Sequence, residues 1–189
     1  MAERQKARNQ HSDKRPIRIE GDVAYVPLTK GYEAVIDAAD VPLVEDASWC
    51  AKIARNGDGS IRTVYAEKGF AGIGGRIIMT LMHRMLIGAP KSSMVDHVNG
   101  NGLDNRRLNL RLATSSENAH NRRINRNNTS GLKGVCFDKS AGKWRAMIRL
   151  DGKLRHLGFF KDIEEAHAAY VSASLRLHGP FSLFAAKPA

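Results

Sequence analysis

Three side chains in the middle of the chain are of types that could carry out hydrolytic chemistry together. Asp96 and His97 are adjacent in a short apolar run, and Asn118 follows further along. A carboxylate and an amide oxygen are hard ligands that suit Mg²⁺ or Mn²⁺, which keep several waters and take further oxygens from a substrate phosphate. A histidine beside such a site can accept a proton from water near neutral pH. These residue types therefore indicate metal-assisted hydrolysis of a phosphodiester.

The segments around Asp96 and His97 are predicted to form a hairpin. Residues 94–98 are a short apolar run typical of a strand. The Asn-Gly-Asn-Gly sequence at 99–102 predicts a tight reversal, because both residue types tolerate positive φ. Leucines at every second position from 108 to 112 then predict a half-buried strand.

A helix is predicted to begin directly after the second strand. Thr114 with Glu117 three residues later is a capping box, which places Asn118 in the first turns. The helix would continue to residue 128, with Asn121 and Asn125 on the same face as Asn118. The hairpin and the helix would then enclose one small pocket.

Four segments of this region carry a resemblance to a known family. Residues 95–101, 103–107, 109–111 and 113–118 resemble the HNH endonucleases, in particular the phage and intron-borne homing or nicking type. The resemblance implies a ββα-metal fold, one divalent ion, Mg²⁺ or Mn²⁺, and cleavage of double-stranded DNA.

Residue roles follow from the same resemblance. Asp96 resembles the first metal ligand and His97 the general base, while Asn109 resembles the central asparagine whose hydrogen bonds fix the loop. Asn118 resembles the second ligand, and the later asparagines of the helix compete with it. His83, in a His-Arg pair ahead of the motif, either supports the pocket or is an ordinary structural residue.

Composition and charge limit the classes of function. Thirty Lys and Arg against nineteen Asp and Glu give a net charge of +11, which favours a polyanionic partner, most often nucleic acid. The two distant cysteines indicate neither a disulfide framework nor a zinc ribbon. Without an apolar run of ~20 residues or a signal-peptide core, we expect no membrane contact and a cytoplasmic location, in a bacterial host if the chain is phage-encoded. No protein partner is implied.

Short strands and turns dominate the chain ahead of the motif. Residues 1–15 form a basic, flexible arm, either a solvated tail or a segment that follows the DNA backbone. From 17 to 78 the pattern predicts a small β-rich module with Trp49 in its core, and a short helix over 80–87 that Thr80 caps and that carries His83. We expect an HNH endonuclease domain over 16–127, this module included.

A second module is predicted over 128–189. Three strands at 133–138, 143–150 and 153–159 are joined by turns, the second being Asp151-Gly152. A helix capped by Asp162 and Glu165 follows and ends at Gly179-Pro180. The segment resembles the AP2 DNA-binding domain through residues 131–135, 144–148, 157–160 and 165–170.

Basic side chains are predicted to contact DNA at two places. The polar segment after Asn118 favours DNA contact over a merely solvated helix, and one face of the AP2-like sheet is basic. The predicted DNA-binding residues are Arg122, Arg126, Lys133, Lys143, Arg145, Arg149 and Arg155.

The sequence therefore predicts an α+β protein with three parts. An N-terminal β-rich module and a ββα-metal HNH motif precede an AP2-like three-stranded antiparallel sheet with one helix. The expected function is metal-dependent hydrolysis of double-stranded DNA, by a nick or a double-strand cut. The alternatives are a catalytically inactive, sequence-specific DNA-binding protein and an RNA-binding module.

Overall fold

The computed structural model describes residues 15–122, 124 and 127–187. The strands are β1 Arg18–Glu20, β2 Val23–Pro27, β3 Glu33–Asp37, β4 Cys50–Arg55, β5 Ile61–Ala71, β6 Ile77–Leu81, β7 Met94–His97, β8 Leu110–Ala113, β9 Val135–Asp138, β10 Lys143–Leu150 and β11 Lys153–Phe160. The helices are α1 Val41–Val44, α2 Met82–Leu86, α3 Ser115–His120 and α4 Ile163–His178. Small antiparallel sheets and short helices confirm the predicted α+β class.

The chain forms two compact units, and neither is one continuous stretch. The first consists of Met1–Lys91 and Asn101–Arg111, and the second of Ser92–Gly100 and Leu112–Ala189. The predicted domain boundary at residue 128 therefore lies inside the second unit. The division of the chain into domains at this residue stays a prediction.

The first unit is built on two three-stranded antiparallel sheets, in the orders β1-β2-β3 and β4-β5-β6. Buried side chains alternate with less buried ones along β2 and β3, as expected for strands with one covered face. Trp49 is 2% exposed, and its indole Nε1 donates to the Val44 carbonyl at 3.0 Å. The predicted core position of Trp49 is confirmed.

The second unit contains β7, the second half of β8, α3, and the sheet β11-β10-β9 with α4. Val135 and Ala146 of the sheet pack on Ala166 of α4, and Ile148 packs on Tyr170 and Ala173. Asp151 and Gly152 both have positive φ, which is the two-residue turn that the sequence predicts. The sheet and the helix are thus confirmed, whereas their kinship with the AP2 domain stays a prediction.

Gly134 allows the sheet and α4 of the second unit to approach closely. Its φ is +78°, and a Cβ there would lie 2.0 Å from the Tyr170 ring. Any larger residue would push the aromatic ring out of the core.

Two predicted helices differ from the observed ones. The polar helix expected to reach residue 128 ends at His120, and Asn121 is its C-cap residue. Thr80, the predicted N-cap, lies in β6, and α2 begins at Met82 without a side-chain cap. Tertiary contacts rather than local capping therefore set both boundaries. In the described part of the chain, no helix combines the length and the apolar character needed to cross a bilayer.

Candidate active site

The capping box of helix α3 is present as predicted. The Thr114 hydroxyl accepts from the Glu117 amide at 3.2 Å, and the Glu117 carboxylate accepts from the Thr114 amide at 2.7 Å. These reciprocal bonds satisfy two backbone donors and fix where the helix begins. Helix α3 packs against strand β7, so the helix start determines which of its residues face Asp96.

The end of β7 places Asp96 and His97 in a buried position. Asp96 is 5% exposed and His97 6% exposed. The Gly100 amide donates to the His97 carbonyl at 2.8 Å, which closes the turn after the strand. A short strand followed by a tight turn therefore holds the Asp-His pair, in agreement with the sequence pattern.

Asn121, the C-cap residue of α3, contacts Asp96. Its Nδ2 lies 3.2 Å from each carboxylate oxygen of Asp96, 3.0 Å from the His97 carbonyl oxygen and 3.3 Å from the Val98 carbonyl oxygen. Asn121 is 8% exposed, so these contacts are shielded from water. The structure therefore brings Asp96, His97 and Asn121 together.

Asn118 lies one turn earlier on the same side of α3. Its Nδ2 is 4.0 Å from the Met94 sulfur, and the residue is half-buried. Met94 and Asp96 are two positions apart on β7, so they lie on the same face of the strand. Asn118 therefore lies beside Met94, and Asn121 lies beside Asp96 of the same strand. Asn125, the other alternative, lies outside the described residues.

Lys133 lies at the C-terminal end of α3. Its Nζ donates to the His120 carbonyl at 2.8 Å and also to the Arg122 carbonyl. A cation there satisfies helix-end carbonyls and is favoured by the helix dipole. Burial lowers the pKa of Lys133 to about 8. Lys133 precedes β9, although a strand beginning at Lys133 is predicted from the sequence.

Two histidines stack beside this helix end. The rings of His120 and His178 have centroids 3.6 Å apart and planes 7° apart. Burial lowers the pKa of His120, with smaller contributions from His178 and Lys133. The Nε2 of His178 is 3.0 Å from the Arg149 carbonyl oxygen, so the stack connects α3 to β10 within the second unit.

Asn109 is in the first unit, 2% exposed. Its Nδ2 donates to the Asp104 carbonyl at 2.7 Å, which ties the loop between β7 and β8 to itself. A residue that fixes the loop must make a bond of this kind. The loop-fixing role of Asn109 itself stays a prediction. Asn105 is fully buried, and its backbone amide donates to the Val35 carbonyl at 2.7 Å. Sequence reasoning missed Asn105, since nothing in its spacing distinguishes it from other loop asparagines.

Ion pairs attach the same loop to the N-terminal strands of the first unit. The Arg107 guanidinium binds the buried Asp40 carboxylate, with its Nη2 2.7 Å from Oδ1. The Arg107 backbone amide donates to the Asp37 carboxylate at 2.8 Å, and within the loop itself Arg106 binds Asp104 with two contacts of 2.9 Å. The β-rich module therefore braces the loop.

His83 also belongs to the first unit. It is 5% exposed, and its ring packs edge-on against Tyr65 with centroids 5.4 Å apart. This contact places His83 in the core beside β5. Its predicted support of the pocket stays a prediction.

The predicted DNA-binding residues of the sheet lie on two different faces. Directly opposed residues of an antiparallel pair share a face. Arg149 is paired with Leu154, but Arg155 is paired with the buried Ile148, on the side that packs on α4. We define the outer face as the side of the sheet that carries Lys143, Arg145 and Arg149.

The basic groups also differ in exposure. Arg145 is half-buried and lies 3.2 Å from the Asp138 carboxylate, whereas Lys143, Arg149, Arg155 and Arg122 are exposed. Arg126 and residues 1–14 of the predicted arm lie outside the described residues. The DNA-binding roles stay predictions.

The donor set suits a hard divalent ion that keeps most of its waters. Among the described residues, no group of three or more His, Cys, Asp or Glu side chains forms a closed metal cage. Asp96 offers carboxylate oxygens, and Asn118 carries an amide oxygen on the helix packed against β7. One or two protein oxygens with water and phosphate completing the shell is a usual arrangement for Mg²⁺.

Comparison with known proteins places this site inside a recognised region. Residues 83–120 match the family model described as HNH endonuclease. Over 95 residues the chain is 38% identical to Protein 3.8 of Escherichia phage T7, an alignment covering 50% of this chain and 78% of the relative. No solved structure matches the chain. Asp96, His97, Asn109 and Asn118 all lie within the matched region, and Asn121 lies just beyond its end.

Proposed function

The chain belongs to the same family as Protein 3.8 of Escherichia phage T7 and carries an HNH endonuclease domain, and from this premise we propose that it is a metal-dependent DNA endonuclease. It hydrolyses phosphodiester bonds in double-stranded DNA. The observation that carries the proposal is the buried Asp96-His97 pair at the end of β7, packed by helix α3, within the matched region.

Two residues hold the ion and one moves a proton. Asp96 and Asn118 provide hard oxygen ligands for one Mg²⁺ or Mn²⁺. When bound, such an ion polarises the scissile phosphate and stabilises the leaving oxygen. His97 accepts the proton of the attacking water, while Asn109 holds the loop that follows.

DNA is recognised by the C-terminal module. Its three-stranded sheet exposes Lys143 and Arg149 on the outer face, and the AP2 resemblance implies that such a face enters a groove. The net charge of +11 favours the same substrate. If the chain is phage-encoded, as its relative is, the protein acts in the cytoplasm of a bacterial host.

Supercoiled plasmid provides the direct test. The purified protein is incubated with plasmid in Mg²⁺, in Mn²⁺ and in EDTA, beside Asp96→Ala as the matched variant. We expect nicked or linear DNA with either ion, none in EDTA, and at least a tenfold lower rate for Asp96→Ala. Plasmid that stays supercoiled under all conditions, while the protein still retards it on a gel, would favour the catalytically inactive DNA-binding alternative.

A further inference from the structure

The amide nitrogen of Asn121 is surrounded by hydrogen-bond acceptors. The four oxygen atoms within 3.0–3.3 Å of Nδ2 belong to the Asp96 carboxylate and to the carbonyls of His97 and Val98. An amide group has one donor end and one acceptor end. If the amide were turned, its oxygen would face those four acceptors. The surroundings therefore fix the orientation with the nitrogen toward Asp96.

This orientation separates the roles of the two helix asparagines. A metal ligand must present oxygen to the ion, but Asn121 presents its nitrogen to the ligand carboxylate. Asn118 touches the Met94 thioether, which is a weak acceptor, so turning its amide costs little. Asn118 can therefore turn its oxygen toward an ion beside Asp96 at little cost, whereas turning the Asn121 amide would break buried bonds.

We infer that Asn121 is a positioning residue that holds the Asp96 carboxylate and the backbone after His97 in place, and that the ligand role falls to Asn118. The inference rests on the proposed function. Because Asn121 is 8% exposed, loss of its amide leaves buried acceptors without this donor, which is costly. One side chain thus fixes both the ligand and the chain segment that carries the base.

Matched alanine variants separate a ligand from a positioning residue. Asn118→Ala and Asn121→Ala are compared by three readouts: the melting temperature in EDTA, the Kd for Mn²⁺ from calorimetry without DNA, and the cleavage rate at saturating Mn²⁺. The first two readouts do not depend on activity.

We expect opposite patterns in the two variants. Asn121→Ala should melt several degrees lower in EDTA, keep its Kd for Mn²⁺ within about threefold, and cleave ~10–100-fold more slowly even at saturating Mn²⁺. Asn118→Ala should melt like the parent and bind Mn²⁺ at least tenfold more weakly. If Asn121→Ala does not fold, Asn121→Ser keeps a donor and should show the same pattern to a smaller extent.

Two results would overturn the inference. An Asn121 variant with the parent melting temperature and a tenfold weaker Kd for Mn²⁺ would make Asn121 the ligand. An unchanged cleavage rate at saturating Mn²⁺ would make Asn121 a structural residue only. If the parent protein does not cleave DNA, the proposed function fails, and the melting and calorimetric readouts still decide the role of Asn121.

Discussion

His97 is the proposed general base of the site. It is 6% exposed at the end of a strand, next to a carboxylate suited to a hard ion. A residue that moves one proton contributes to the rate without contributing much to substrate affinity. Removal of His97 should therefore lower the cleavage rate and leave the affinity for DNA nearly unchanged.

We predict that His97→Ala lowers the single-turnover cleavage rate by ~10²–10⁴ and leaves DNA affinity nearly unchanged. Cleavage is followed on a labelled duplex with Mg²⁺, and affinity is measured by gel shift in EDTA. His167→Ala, in helix α4 against Phe184, is the matched control and should cleave like the parent. A His97→Ala variant as fast as the parent would remove the base assignment.

The site residues could be predicted from sequence only in part. Asp96 and His97 follow from their types and from the turn after them, since both signals are local. The contact between Asn121 and Asp96 depends on where α3 ends and how it packs on β7, and no local pattern encodes either. The sequence therefore leaves Asn118 and Asn121 as alternatives, and only the structure distinguishes their surroundings.

At the scale of elements, the two ends of α3 show what local sequence can and cannot predict. The N-terminal end follows from Thr114 and Glu117 within one turn. The C-terminal end depends on Lys133, whose ammonium reaches the helix from outside it. No capping rule applies to a residue so far from the helix, so the helix is predicted too long.

The partly buried ammonium of Lys133 should make stability depend on pH. Burial lowers its pKa from 10.5 to about 8 in the folded protein. Between those values the unfolded state binds more protons, so stability rises with pH. We predict that the free energy of unfolding of the parent, relative to Lys133→Met, increases from pH 7 to pH 9.5. With the partial exposure of the side chain, the increase is on the order of 1 kcal/mol.

Urea unfolding at both pH values measures this difference. Lys143→Met, which removes an exposed lysine, is the matched control. If the Lys133→Met difference were also constant with pH, the ammonium would be well solvated, and its role at the helix end would be a surface contact.

Gly102 is required where the loop after β7 meets β5 in the first unit. A Cβ on Gly102 would lie 2.5 Å from the Val64 carbonyl oxygen and 2.7 Å from the Tyr65 ring. Because backbone cannot move aside cheaply, Gly102→Ala should lower the free energy of unfolding by ~1–3 kcal/mol. Chemical denaturation measures the loss. Gly57→Ala, where a Cβ meets nothing within 4 Å, should be close to neutral.

At the scale of the whole molecule, binding to DNA should depend on salt through the basic side chains. Each phosphate contact releases counterions, so losing one lowers the log–log salt slope by about one. We predict that Arg149→Ala, on the outer face of the sheet, weakens DNA binding and lowers the slope by this amount. Fluorescence anisotropy of the full chain at several salt concentrations measures both.

Arg176→Ala is the matched control, because Arg176 is exposed on α4, on the opposite side of the sheet. It removes the same charge and should leave the slope nearly unchanged. Equal slopes for the parent, Arg149→Ala and Arg176→Ala would exclude the outer face as a phosphate-binding surface.

The fold class follows from the sequence, but the division of the chain into units does not. Alternation, turns and caps predict each strand and helix from a few neighbouring residues. The second unit joins residues 92–100 to residues 112–189, and the intervening segment belongs to the first unit. Such an arrangement arises from contacts between distant segments, such as Arg107 with Asp40, which periodicity cannot reveal.

The interrupted order of the two units also has a consequence for synthesis on the ribosome. Residues 92–100, with Asp96 and His97, emerge before the first unit is complete at residue 111. The remaining residues 112–189 then take on the order of 4–15 s to translate at ~5–20 residues per second. Throughout this interval, part of the second unit, to which β7 belongs, has not yet been synthesised. A chain that ends between residues 100 and 117 therefore carries the Asp-His pair without Asn118, the second proposed ligand, and on the proposed function it would not cleave DNA.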